Sequence, residues 1–260
     1  RYEKVFRSTY RHHVERAIRT IVSGRVEQGR KRIDDYLQTV GRDRQAVEEV
    51  IFSLRRAGLH SEVWRVARAS TDDLSPAAHL ETGNALMELG LTDEARTHFD
   101  TYVAQSPDKS VAASRVAKSL LQNEHVEFVE EYADTAVKAA PGRVEPYVYR
   151  GVAMIAEGKL EQARRDLTRS VGPGLSRTAA LSLAGRTALR HNHDAFAMEL
   201  MRDVIERTTV SEPYAGLSFI LGTFEDADRA ALGVDFLESA YPLTAAGDGA
   251  LAGSHRPVVI

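Results

Sequence analysis

The sequence predicts an all-α solenoid of antiparallel helix pairs, and three observations predict it. Residues recur at a step of 34: Gly83, Ala117, Gly151 and Gly185 in one phase, Ala95, Val129, Ala163 and Ala197 in another. Pro107 and Pro141 keep the same step between units. Between these marks the apolar residues follow the three-to-four spacing of a helix face. A period of this length marks stacked two-helix units, each burying its apolar face against its neighbours. The clean array runs from Ser75 to about Pro173.

Taken in order, residues 1–41 predict two helices. Val14, Ala17, Ile18, Ile21 and Val22 form the first stripe, Ser23-Gly24 breaks it, and Ile33, Tyr36, Leu37 and Val40 form the second before Gly41 stops it. Residues 44–70 predict another pair. Ala46, Val47, Val50, Ile51 and Leu54 make one face, and Val63, Trp64, Val66 and Ala67 the other, joined by Ala57-Gly58-Leu59. Gly24 to Gly58 is again 34 residues, whereas Gly58 to Gly90 is 32, so the register slips by two before Ser75.

Ser75 before Pro76 is a good helix N-cap with proline at the first helical position. That helix is expected to reach about Leu89, with Gly90 ending it and Thr92 capping the next, through Gln105. Further helices are expected near 110–122, 126–139, 145–157 and 160–171. Gly158 is expected to turn the chain as Gly90 does, and Gly172-Pro173-Gly174 to close that unit. A fourth unit covers about 178–190 and 194–208. A helix from Pro213 to about Leu221 and another over 226–240 would follow. The expected divisions are a degenerate, basic part at 1–74, the regular array at 75–211, capping helices at 212–242 and a loosely packed tail at 243–260.

The bulk numbers bound the function more than they name it. The chain has 260 residues, 43% hydrophobic and 27% charged, with a formal charge of −3, which points neither to a nucleic-acid binder nor to an acidic tail protein. The charge is uneven: residues 1–44 hold twelve Lys and Arg against six Asp and Glu. A basic end suits a membrane surface or an acidic partner, although a solvated helix face is the simpler account. The absence of cysteine excludes disulfides, thiolate metal sites and a cysteine nucleophile without choosing a compartment. The longest apolar run, 214–224, is far short of the roughly 20 residues that span a bilayer. The chain begins at Arg1 rather than Met, so we expect a fragment or processed product with any targeting element upstream.

With the repeat in hand, the sequence resembles the tetratricopeptide repeat family. The pattern has a small residue at the eighth place of each unit, a large apolar one at the eleventh, alanine at the twentieth, a bulky residue at the twenty-fourth and proline near the thirty-second. The unit from Pro76 supplies Gly83, Leu86, Ala95, Phe99 and Pro107. The unit from Ser110 supplies Ala117, Leu120 and Pro141, with Val129 and Ala133 off-pattern. The unit from Val144 supplies Tyr147, Gly151, Met154, Ala163 and Leu167, with Pro173 two places early. The unit from Thr178 supplies Gly185, Ala188, Ala197 and Met201, and no proline. About half of the chain matches well and nearly all of it loosely. The resemblance implies a right-handed superhelix of about five to six helix pairs. The RNA-reading pentatricopeptide arrays have a period of 35, and the 34-residue phase argues against them.

The resemblance also implies that the first helix of each pair lines a concave, peptide-binding face. It places Leu80, Asn84, Met87, Ser114, Arg115, Lys118, Leu121, Val148, Tyr149, Val152, Ser182, Arg186 and Arg190 near that groove. Arg115, Lys118, Arg186 and Arg190 suit an acidic or carboxylate-bearing peptide or helix; ordinary solvated positions are the competing reading. The two-carboxylate clamp of chaperone-tail binders is not reproduced, since Asn84 fits but Leu80 and Ser114 stand at its other places.

Elsewhere the chemistry is sparse. His191-Asn192-His193-Asp194 has the composition of a metal site but lacks a third fixed ligand, and a solvated turn with Asn192 or Asp194 capping the next helix is the alternative. Trp64 is either a recognition platform or, as its area favours, a core anchor. Gly247-Asp248-Gly249 lacks the strand and helix of a phosphate loop, and no zinc-protease pair or nucleophile elbow occurs. No cofactor is expected. The leading expectation is a non-catalytic adaptor or scaffold that binds a protein segment. The alternatives are an envelope, pilus or polysaccharide-export assembly factor anchored through a missing N-terminal segment, or a regulatory part of a larger enzyme. Cytoplasm and periplasm are both allowed, and terminal units without polar outer faces would let copies self-associate.

Overall fold

The computed structural model describes residues 2–70, 74–170, 177–207, 222, 224 and 230–240. Among them are thirteen α-helices and no strand. They are α1 Tyr2–Val22, α2 Val26–Thr39, α3 Arg44–Arg56, α4 His60–Arg68, α5 Pro76–Glu88, α6 Thr92–Gln105, α7 Lys109–Gln122, α8 Val129–Ala139, α9 Glu145–Ala156, α10 Leu160–Arg169, α11 Arg177–Arg190, α12 Asp194–Arg207 and α13 Ala230–Ala240. The first twelve form six consecutive pairs, and the fold is an all-α helical-repeat solenoid. The expected helix at 213–221, the Gly172-Pro173-Gly174 closure and the tail at 243–260 lie outside the described residues.

The six turns within the pairs share one device. Gly24, Gly58, Gly90, Glu124, Gly158 and Asn192 all have a left-handed backbone, with φ between 60° and 86°. In each turn the next residue donates its N–H to the carbonyl five places back, at 2.8–3.1 Å, as in Leu91 to Leu86 and His125 to Leu120. This closes the end of the first helix and aims the chain into the second. The series keeps the 34-residue step and the two-residue slip between Gly58 and Gly90. Glycine supplies the positive φ without steric cost in four turns, while Glu124 and Asn192 carry a Cβ there.

The chain divides into two compact units, 1–112 and 113–260, with the boundary inside α7. In the first unit the core runs through Ala17, Ile33, Leu37, Val50, Ile51, Leu54, Val63 and Ala67 to Leu74, Ala78 and Ala85. It is continuous across the register slip because α5 packs on both α3 and α4. Trp64 is half-buried against this core, its ring edge on His98 with centroids 5.9 Å apart. Val22, expected on the buried stripe, is instead 67% exposed at the last position of α1, where the chain turns away.

Ser75 caps α5 as expected: its Oγ accepts the Ala78 N–H at 3.0 Å and its hydroxyl donates to Glu48. Thr92 does not cap α6. It is the first helical residue, and Leu91 holds the cap position without a side-chain bond because the left-handed turn at Gly90 already fixes the entry. At Gly83 the ring of Phe99 lies where a side chain would be, 2.5 Å from a Cβ built on the glycine, so α5 and α6 approach closely.

In the second unit the core joins Val148, Val152, Ile155, Ala163 and Leu167 to Ala184, Ala188, Leu189, Ala197 and Met201. Phe224 and Phe236 close one side of it, with ring centroids 5.9 Å apart. The helix expected from 126 begins as a single 3-10 turn, Val126–Phe128, before α8.

Candidate functional site

Within the second unit the first helices of three successive pairs, α7, α9 and α11, surround a cavity of about 940 Å³. That is the size of a substantial binding cleft. α7 supplies Lys118, Leu121 and Gln122, and its closing turn supplies Glu124. The entry to α9 supplies Arg143 and Val144, and the helix itself Glu145 and Tyr149 one turn apart. α11 contributes Ala179, Leu183, Arg186, Thr187 and Arg190, a stripe at helical spacing. Each stripe exists because the opposite face of the helix is apolar and committed to the core.

The floor is apolar, from Leu121, Val144, Ala179 and Leu183, and the charges surround it. Lys118, Arg143, Arg186 and Arg190 stand against Glu124 and Glu145. The Tyr149 hydroxyl donates to Glu145 Oε1 at 2.6 Å. Burial, reinforced by that hydrogen bond to an anion, pushes the Tyr149 phenol well above its ordinary value, so it stays a proton donor. Arg190 Nη1 lies 3.3 Å from Glu124 Oε1, both side chains largely exposed. Such a pair contributes about 0.2–1 kcal/mol. A left-handed backbone costs a residue with a Cβ about 1–2 kcal/mol. Glu124 therefore costs the fold more than its ion pair returns.

The cavity brings together five residues expected from the sequence: Lys118, Leu121, Tyr149, Arg186 and Arg190. It does not include the others. Arg115 is exposed but outside the lining. Val148 and Val152 are fully buried in the core and present no surface, because α9 packs against α8, α10 and α11 at once. Ser114 and Ser182 are also buried. Leu80, Asn84 and Met87 belong to the first unit, on a helix packed against α3, α4 and α6, and are 8%, 5% and 4% exposed. Asn84 is bonded to Glu81, whose carboxyl is pushed up by burial despite that bond and the charge of Arg55.

Sequence reasoning missed Gln122, Glu124, Arg143, Val144, Glu145, Ala179, Leu183 and Thr187. Glu145, four residues before Tyr149, was findable from helix spacing. Glu124 was findable too, since the Gly90 phase advanced by 34 lands on it. Arg143 and Val144 lie before α9, where helical spacing says nothing.

Among the described residues no group of three or more His, Asp and Glu could hold a metal ion. Asn192 occupies the left-handed turn position, and Asp194 Oδ1 is buried without a hydrogen-bond partner. No described helix is long and apolar enough to cross a membrane.

Solved structures place the fold among known ones. A tetratricopeptide repeat protein from Parabacteroides merdae is 11% identical, covers 91% of this chain and 94% of its own, and superposes with a TM-score of 0.50. PilF of Pseudomonas aeruginosa is 16% identical over 82% of this chain and 98% of its own, with a TM-score of 0.42. PilW, a type IV pilus biogenesis factor, is 14% identical over 91% and 96%, with a TM-score of 0.38. No family model matches the sequence, and no curated protein matches it. At 11% identity the likeness to the Parabacteroides merdae protein is one of fold, a tetratricopeptide-type helical repeat.

Proposed function

We propose that the chain is a non-catalytic binding module whose second unit takes an acidic protein segment in the cavity between α7, α9 and α11. The observation that carries the reading is the composition of that cavity, four cations and two carboxylates around an apolar floor of about 940 Å³. The apolar floor offers burial to one or two side chains of a partner. The cations favour an approaching segment with negative charge and set its register. Tyr149, its hydroxyl proton donated to Glu145 in a hydrogen bond, fixes that carboxylate at the cavity wall.

The test is affinity capture with immobilised protein, comparing wild type with Lys118→Glu/Arg186→Glu/Arg190→Glu. The reversed variant should lose its quantified partners by about tenfold or more, as like-charge contacts do. Arg115→Glu, outside the lining, should retain them. Equal capture by the wild type and the triple variant, with helicity unchanged, would remove the cavity as the binding site.

A further inference from the structure

We infer that Glu124 is a built-in stand-in for a carboxylate of the partner, occupying an acid-binding subsite at Arg190 in the free protein. The inference rests on the groove reading above and names which cation receives the partner's acid and what holds that place beforehand.

Three independent features converge on Glu124. Of the six equivalent turns, four use glycine and one uses asparagine, a short side chain that tolerates the left-handed backbone; only this turn uses a long acidic residue, at φ 63°. Strain kept where the same chain repeatedly shows the relaxed alternative points to function. The carboxylate so placed is aimed at Arg190 across 66 residues of sequence, at 3.3 Å, in an exposed pair that does little for stability. A second cavity, of about 430 Å³, shares Leu121, Glu124, Thr187 and Arg190 with the main one. The Glu124–Arg190 pair therefore stands where the two cavities meet.

An incoming carboxylate that pairs with Arg190 would displace Glu124 and join the two spaces. The swap conserves the number of ion pairs, so specificity comes from the exchange: a neutral or basic segment cannot replace the contact it breaks. The partner segment is then one that carries an acid reaching Arg190 together with apolar side chains for the floor.

The probe is a fluorescein-labelled hexaglutamate peptide titrated with the full chain and followed by anisotropy, with helicity and melting recorded for every variant. Glu124→Gln keeps the strained backbone and removes the competing charge; it should tighten binding about two- to fivefold, the range an exposed pair can contribute. Glu124→Gly should tighten it at least as much and raise the melting temperature as well. Arg190→Ala should weaken binding, and adding Glu124→Gln to it should restore nothing.

If Glu124→Gln binds no tighter than wild type while Arg190→Ala weakens binding, the groove stands and the stand-in role falls. A gain from Glu124→Gln that persists in the Arg190→Ala background would reduce the effect to general charge and also overturn the inference. If wild type and the charge-reversed triple variant bind the peptide equally, the groove reading itself fails and takes the subsite with it.

Discussion

The two units centre their charge networks on opposite signs. In the first, an anion is the centre: Glu62 on α4 is 4% exposed and lies between Arg30 of α2 and Arg65, which themselves reach Glu27 and Asp34. Burial alone would raise the Glu62 carboxyl, but the hydrogen bonds from Arg30 and Arg65 overcome it and hold the group below its ordinary value. In the second, a cation is the centre. Arg150 on α9 donates two bonds to Asp166 of α10, at 2.6 and 2.8 Å, and one to Asp134 of α8, at 2.7 Å. The hydrogen bond to Asp166 is the main reason its guanidinium is held above its already high ordinary value. The first unit also buries a neutral pair, His79 and His98, with their Nδ1 atoms 2.9 Å apart. The difference teaches that one repeat architecture accepts either polarity at its centre, and that the groups responding to mild acid are the histidine pair of the first unit rather than either network.

The largest expected effect comes from removing the centre of the second network. Arg150→Met would strand Asp166, which is 5% exposed and has both oxygens on that guanidinium. Breaking a buried pair from one side costs about 3–5 kcal/mol. Glu62→Gln in the first unit should cost less, about 1–3 kcal/mol, since Arg30 and Arg65 retain exposure and partners with which to re-solvate. Urea denaturation of both variants measures the contrast. Arg150→Met/Asp166→Leu should recover most of the loss, because replacing both partners by apolar groups is near neutral. Equal losses at the two sites would mean that the polarity of the centre does not matter.

Next in size is an acid sensitivity confined to the first unit. Burial pushes His79 down, helped by the charge of Arg44, and pushes His98 down to about 4, helped by its neighbour His79. Between the ordinary histidine value near 6.5 and the folded value near 4, the unfolded chain binds protons that the folded chain refuses. Stability therefore falls as pH falls through that window, by about 2–3 kcal/mol for His98. Glu62, with a lowered value, adds its loss only below the ordinary carboxylate range. Hydrogen exchange at pH 7 and pH 5 should show protection lost in residues 74–105 while α9 to α12 hold, and His98→Phe should flatten the response. Uniform loss across both units would break the contrast.

A third prediction uses one repeat position in both units. Gly83 and Gly151 hold the same repeat position two 34-residue steps apart, yet a Cβ at Gly83 would lie 2.5 Å from the buried Phe99 ring, and one at Gly151 would lie 3.2 Å from Leu167 Cγ. Gly83→Ala should destabilise by about 1–2 kcal/mol, overpacking outweighing the helix-propensity gain of about 1 kcal/mol. Gly151→Ala, where Leu167 can give by a few tenths of an ångström, should stay within about 0.5 kcal/mol of wild type. Thermal unfolding of the two single variants measures it.

The same contrast shows how much was legible in the sequence. Helix boundaries were, because Gly24, Gly58, Gly90 and Gly158 punctuate a steady apolar period. Small residues at the eighth and twentieth places, Gly83 and Ala95, made a close helix approach legible, but not that the Phe99 ring would be what lies against Gly83. The cavity lining was legible only in part. The family resemblance says which helix of each pair faces inward, and it pointed to Lys118, Leu121, Tyr149, Arg186 and Arg190, which line the cavity. It does not say how deeply a neighbour covers that face, so Val148 and Val152 read as lining although they are core. The charge networks were hidden, because Arg30 meets Glu62, and Arg150 meets Asp134 and Asp166, only once neighbouring helices pack.

The smallest expected effect lies in the turns, where the units differ by one residue in an otherwise shared device. Gly90 in the first unit and Glu124 in the second adopt nearly the same backbone, φ 71° and 63°, with the same return bond from the following N–H. Exchanging them should move stability in opposite directions. Gly90→Glu places a Cβ in the left-handed region with no cation held for it among the described contacts of that turn, and should cost about 1 kcal/mol. Glu124→Gly relieves the same strain, loses a weak exposed pair and loosens the unfolded chain, leaving a net gain of about 0.5 kcal/mol. Melting curves of the two single variants and the double exchange give three values. If the turns act only through local backbone strain, the double exchange should equal the sum. A Glu124→Gly variant that is less stable than wild type would show that the pair with Arg190 outweighs the strain, making that contact a structural tie.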